Sequence, residues 1–130
     1  MRRTVSQLII DQLTAWGVRS IYGYPGDSIL HFLDALARQD GIKFYSTKHE
    51  ANAAFMASAE AKMLGRLGVC LVHAGPGIAN LLNGLADAYA DRAPVLAITG
   101  QVNEANIGTD YEQYLDEQAE ATGSVPDDRT

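Results

Sequence analysis

One run constrains this chain more than any other: Gly68-Val69-Cys70-Leu71-Val72-His73 is apolar from Gly68 through Val72, with no polar alternation. Strands of that kind are buried on both faces, which points to a parallel sheet with helices packed on each side. The flanking sequence agrees. Pro94 to Thr99 reads as a second buried strand, and Ile78, Leu81, Leu82, Leu85 and Tyr89 between the two mark a helix. Upstream, Thr4 to Trp16 reads as a helix with Val5, Leu8, Ile9, Leu13 and Trp16 on one face. Thr4 and Gln7 have capping-box spacing, and Gly17 supplies the stop. A short strand near Arg19 to Tyr22 leads into the loop Gly23-Tyr24-Pro25-Gly26. Asp27 or Ser28 can cap the next helix, which runs to about Arg38. Lys43 to Ser46 is strand, and Glu50 to Leu64 is an alanine-rich helix.

This alternation predicts an α/β fold with a doubly wound, mostly parallel sheet and helices on both faces. Ile21, Val69, Leu71, Val95, Leu96 and Ile98 are the expected buried strand residues; Leu8, Leu33, Leu82 and Leu85 are their helical counterparts. The 130 residues suit one domain, placed at residues 1–118. From Ala119 to Thr130 the chain is polar and acidic, and reads as a disordered tail.

Charge narrows the partners. Asp and Glu outnumber Lys and Arg, 16 to 10, for a net charge of −6. That argues against nucleic acid and against anionic membranes as partners. No apolar run is long enough to span a bilayer. Arg2 and Arg3 lead a helix carrying Gln7, Asp11 and Gln12, unlike a signal peptide. With a single cysteine, Cys70, there is no disulfide framework, and a cytoplasmic setting is expected.

Ligands of open α/β sheets sit at the carboxyl ends of the strands. The loops there are Tyr24-Pro25-Gly26, His49-Glu50, Ala74-Gly75-Pro76-Gly77 and Gly100-Gln101-Val102. Glu50 stands where a strand gives way to a helix. Burial there pushes a carboxyl toward its neutral form, while the positive end of the helix dipole favours its charge. A group under both influences suits proton exchange with a bound heterocycle. The plainer reading is a helix-starting acid. Gly75-Pro76-Gly77-Ile78-Ala79-Asn80 is one residue short of a dinucleotide fingerprint, Pro76 lacks a donor for phosphate, and no acid follows the next strand. His31, His49 and His73 lack metal-ligand spacing. His73 reads as a pocket residue or a satisfied polar group. Cys70 reads as core, and Asp87 with Asp91 as a solvated helix face.

Taken in order, Tyr22-Gly23-Tyr24-Pro25-Gly26, Lys48-His49-Glu50-Ala51, Gly75-Pro76-Gly77-Ile78-Ala79-Asn80, Ile98-Thr99-Gly100-Gln101-Val102 and Ile107-Gly108-Thr109-Asp110 form a specific set. The set resembles the N-terminal pyrimidine-binding domain of thiamine diphosphate-dependent enzymes, in the branch of pyruvate oxidase and acetolactate synthase. The resemblance covers about residues 3–118. It implies that Glu50 hydrogen-bonds N1′ of the cofactor's aminopyrimidine, whose imino tautomer then takes the thiazolium proton. Pro25 and Gly26 match the loop beside the pyrimidine. Gly75, Pro76, Gly77 and Asn80 match the loop and helix start that face the cofactor and a partner subunit. Gln101 and Gln113 match positions near the substrate channel.

The family's Gly-Asp-Gly…Asn pattern, which holds Mg²⁺ and the diphosphate in a second domain, does not occur in this sequence. The resemblance therefore implies a shared thiamine diphosphate site, weakly bound or unbound by this chain alone, with Mg²⁺ reaching it only through a partner domain. It also implies a homo-oligomer and a separate diphosphate-binding chain. Two alternatives stand beside it: a catalytically silent stand-alone or truncated domain with an oligomerisation role, and an unrelated nucleotide-binding module.

Overall fold

The computed structural model describes residues 3–123. Four strands, β1 (Ser20–Gly23), β2 (Lys43–Ser46), β3 (Gly68–Val72) and β4 (Val95–Thr99), form one sheet in the order β2-β1-β3-β4. Every pairing is parallel. The connecting helices are α1 (Val5–Ala15), α2 (Leu30–Ala37), α3 (Glu50–Leu64) and α4 (Pro76–Ala90), and α5 (Glu117–Gly123) follows the sheet.

Alternate residues of β3 enter two different cores. Val69 and Leu71 pack with Ile10 and Leu13 of α1 and with Phe32, Ala35 and Leu36 of α2. Cys70 and Val72 pack with Ala53, Ala54 and Ala57 of α3 and with Ile78 and Leu81 of α4. The sheet is thus covered on both sides, as its unbroken apolar run required. Burying a Leu or Ile as fully as Leu13, Ile21, Leu71 and Leu81 contributes roughly 1.5–3 kcal/mol each.

Local chemistry sets the helix ends. Thr4 accepts the Gln7 amide at 3.2 Å and Gln7 Oε1 accepts the Thr4 amide at 2.9 Å, completing the expected capping box. α3 stops at Gly65, and Lys62 near that end bridges to Asp87 and Asp91 at 2.7 and 2.5 Å. Ser58 Oγ donates to the same Asp87 carboxylate at 2.8 Å. Asp87 and Asp91 therefore tie α4 to α3, rather than forming the purely solvated face read from sequence.

Several expectations need correction. α1 turns Ile10 and Leu13 inward, and Leu8 is 51% exposed, with Val5, Ile9 and Trp16 outward as well. Apolar residues cover more than one stripe of this helix, and contact with α2 selects the Ile10–Leu13 stripe. Val95, Leu96 and Ile98 are half-buried because β4 lies at the edge of the described sheet. Leu33, Leu82 and Leu85 are half-buried too, Leu33 and Leu85 packed against the rims of the two cores. Neither Asp27 nor Ser28 caps a helix: Asp27 to Ile29 form a 3₁₀ turn that leads into α2. The polar stretch from Ala119 begins inside α5, where Asp116 Oδ1 accepts the Ala119 amide at 3.1 Å. The remainder of the expected tail, residues 124–130, lies outside the described residues.

Candidate functional site

Because every strand runs the same way, the loops after all four open at one edge of the sheet. Behind β2, Thr47 is buried and its hydroxyl donates to the carbonyls of Gly23 and His49, at 3.2 and 2.9 Å. These bonds hold the turn that ends at His49. His49 is the N-cap of α3, its Nδ1 accepting the Ala51 amide at 3.1 Å. Its role is therefore to start the helix. Glu50 follows as the first helical residue, half-buried, in the first turn of α3, at the positive end of the helix dipole. Asn80 of α4 donates its Nδ2 to Glu50 Oε2 at 3.1 Å. One carboxylate oxygen is thus fixed by an amide, and Oε1 takes no hydrogen bond among the described residues. Sequence reasoning singled out both residues, and the structure brings them together.

Gly75 precedes α4 in a positive-φ conformation, φ 66°, ψ −111°, that favours glycine. A Cβ there would also stand 2.0 Å from the Gln113 carbonyl oxygen. The Gly75 amide donates to Glu117 Oε1 at 2.9 Å. Pro76 is the first residue of α4, where its missing N–H costs nothing. Gly77 is buried against Val72 and His73, but a Cβ there would meet only ordinary contacts, at 3.4 Å or more. Gly26 is different, since its Cβ would lie 2.6 Å from the His73 ring. Pro25 lines a separate open cleft with Tyr24, Ser46, Thr47 and Lys48.

A second cleft, of about 460 Å³, is lined by Asp27, Ser28, His73, Gln101, Asn103, Tyr111, Glu112 and Gln113, among others. Gln101 and Gln113 therefore share one cavity, and Glu50 is not part of its lining. Gln101 spends its amide on the backbone: Oε1 accepts the Val102 amide at 2.8 Å and Nε2 donates to Leu115 O at 3.4 Å. Sequence reasoning missed Ser28 and Glu117. Ser28 sits in a strand-end loop, which was a usable signal. Glu117 reaches the Gly75 loop from 42 residues away, and no local pattern could have shown that. Burial raises the Glu117 carboxyl above the usual range, against the opposing influence of the Gly75 amide, Thr99 and His73.

Other candidates fall away. Burial pushes the Cys70 thiol up to about 12, which makes it a core side chain rather than a nucleophile. His31 is exposed on α2. Among the described residues, no three His, Cys, Asp or Glu side chains come together to hold a metal ion, and no helix is long and apolar enough to cross a membrane.

The donor set fits an aminopyrimidine. Such a ring needs a carboxyl that can share a proton with one ring nitrogen, and Glu50 offers an amide-oriented carboxylate with one oxygen open.

Comparison with known proteins leads the same way. Residues 3–121 match the family described as thiamine pyrophosphate enzyme, N-terminal TPP binding domain. A Bacillus subtilis (strain 168) protein, named as thiamine pyrophosphate-containing, is 52% identical over 87% of this chain and 20% of its own length. The acetolactate synthase of Arthrospira platensis is 48% identical over 88% of the chain and 20% of that protein. The pyruvate oxidase of Lactiplantibacillus plantarum is 44% identical over 84% and 18% respectively. The chain thus spans about a fifth of the length of these relatives. The all-parallel sheet and the match over nearly the whole chain agree, and the chain belongs to the family of thiamine pyrophosphate enzyme N-terminal domains.

Proposed function

We propose that this chain is the pyrimidine-binding half of a thiamine diphosphate-dependent site that converts 2-keto acids. Glu50 is the residue that shares a proton with ring nitrogen N1′. The observation that carries the reading is the Glu50–Asn80 bond of 3.1 Å at the start of α3, which orients the carboxylate and leaves Oε1 open. The relatives' names, acetolactate synthase and pyruvate oxidase, support the substrate class. Thiamine diphosphate, when bound, supplies the electron sink for breaking the bond beside a keto group. This chain's part is to seat the flat ring among the Pro25-Gly26 and Gly75-Pro76-Gly77 loops and to hold one proton between Glu50 and N1′.

The diphosphate and its Mg²⁺ belong to another chain in this proposal. This chain binds thiamine diphosphate weakly or not at all by itself, and does not turn over pyruvate alone. It works as a homo-oligomer, or with a diphosphate-binding chain.

The experiment is a Glu50→Gln substitution in the complex with a diphosphate-binding chain, following exchange of the thiazolium proton by NMR. Size and fold are kept, but the amide cannot share a proton with N1′. Exchange should slow by at least about a hundredfold, the lower end for loss of a positioned acid-base group. Replacing His49 with Ala should cost much less, because its contact is a helix cap. Equal exchange in wild type and the Gln variant would sink the role given to Glu50.

A further inference from the structure

His73 directly follows β3 and takes no part in the pyrimidine reading, yet its ring is held on three sides. The Ser28 backbone amide points at Nδ1 from 3.2 Å, and Ser28 Oγ lies 2.8 Å from the same nitrogen. A backbone N–H can only donate, so Nδ1 is an acceptor and the ring proton of the neutral imidazole sits on Nε2. Ser28 Oγ accepts the Ala74 amide at 2.9 Å, which leaves its own hydrogen free to turn toward Nδ1. The third side is Gly26, where any side chain would collide with the ring.

With its proton on Nε2, His73 donates to Gln113 Oε1 at 2.5 Å. This fixes which end of the Gln113 amide faces which way. The oxygen is turned to His73, so the NH₂ group is the end available to the cleft that both residues line. The Gln113 backbone is held as well. It adopts a left-handed φ of 65°, an uncommon conformation for a non-glycine residue, and its carbonyl lies against Gly75. Gln101, on the same cleft, has both ends of its amide committed to backbone. Asp27 and Glu112 add acidic side chains to the lining, so a ligand oxygen needs a directed donor there.

We propose that His73 is a positioning residue: through its Nε2–H it orients Gln113 so that the amide N–H groups, not the carbonyl oxygen, meet an oxygen of the 2-keto acid in the Ser28–His73–Gln113 cleft. This rests on the function proposed above and adds to it the device that aims the substrate-side donor.

The test uses the full chain, labelled with ¹⁵N, and pyruvate as the probe. In the wild type, His73 should show a protonated Nε2 and an unprotonated Nδ1. The Gln113 side-chain amide should give a dispersed pair of signals that shifts on adding pyruvate. His73→Ala should collapse that pair to free-amide positions and weaken the pyruvate response about tenfold, the loss expected when one hydrogen bond's alignment is removed. His73→Gln, which can still donate to Oε1, should restore part of it. His73→Ala combined with Gln113→Ala should be no weaker than Gln113→Ala alone, because His73 acts through Gln113.

A proton found on Nδ1, additive effects in the double variant, or a Gln113 amide indifferent to pyruvate would each overturn the proposal. Thiamine titrated into the wild type and the Glu50→Gln variant reads the pyrimidine site separately. Thiamine binding unaffected by that substitution, with His73–Gln113 coupling intact, would count against the pyrimidine reading and spare this one.

Discussion

Glu50 and Glu117 are two carboxylates at the same edge of the sheet, held in different ways. Glu50 takes an amide from Asn80 and stands at a helix start. Glu117 sits at the start of α5, where burial raises its carboxyl above the usual range in spite of the Gly75 amide and the Thr99 hydroxyl. A raised carboxyl means that folding favours the protonated form. Its contribution to stability is full below the ordinary glutamate range, near pH 4, and is lost as pH rises through the raised value. At neutral pH the ionised Glu117 therefore weighs against the fold. Glu117→Gln keeps an acceptor for the Gly75 amide and removes the charge. It should raise the melting temperature at pH 7, with the gain shrinking to nothing below about pH 4, as thermal unfolding across that range would record. A variant less stable at pH 7 would mean that the ionised carboxylate's hydrogen bonds outweigh its burial. At this scale the sequence revealed Glu50 and Asn80, because a helix start and a Gly-Pro-Gly turn are local patterns. It did not reveal Ser28, His73 and Glu117 acting together, because their contacts cross 40 or more residues.

Among the elements, α3 and α4 carry the site, and their packing depends on small residues. Ala53, Ala54 and Ala57 are fully buried along α3. Facing them, Gly84 of α4 comes so close that a Cβ would lie 2.4 Å from Ala54 Cβ and 2.8 Å from the Phe55 backbone nitrogen. Gly84→Ala should favour the helix by about 1 kcal/mol through propensity. The clash should outweigh that, because one of the two neighbours is backbone and cannot rotate away; overpacking of this kind costs roughly 1–3 kcal/mol. The net expectation is a lower denaturation midpoint, with the Asn80 bond to Glu50 disturbed as the helices part. An unchanged or higher midpoint in chemical denaturation would show that the helices separate freely at this crossing. The bounds of α3 and β2 match their sequence reading, because Gly65 and the Lys43–Ser46 run leave few alternatives. The buried face of α1 was not legible, since its sequence offers two apolar stripes and only contact with α2 decides between them.

On the scale of the whole molecule, exposed apolar side chains compete with net charge. Phe55, Met56, Met63 and Leu64 project from α3, with exposures of 42%, 41%, 84% and 59%. Exposed apolar surface on a helix invites a second copy, and closed two-fold pairing is the commonest outcome. Opposing this, each copy carries a net charge of −6, so approach is repulsive at low ionic strength. Salt shortens the reach of that repulsion to about 8 Å at physiological strength and leaves the apolar contact in place. Association through α3 and α4 should therefore strengthen as salt is raised, the reverse of an interface built on ion pairs. Sedimentation velocity at two salt concentrations checks this: a dimer or larger closed oligomer should grow with concentration and with salt. Met56→Glu should weaken it, while Trp16→Glu on the exposed stripe of α1 should leave it unchanged. A strict monomer at high protein concentration, in either salt, would remove the oligomer from the proposed function. Weakening by Trp16→Glu instead would move the interface to α1 and away from the helices that start at Glu50 and Pro76.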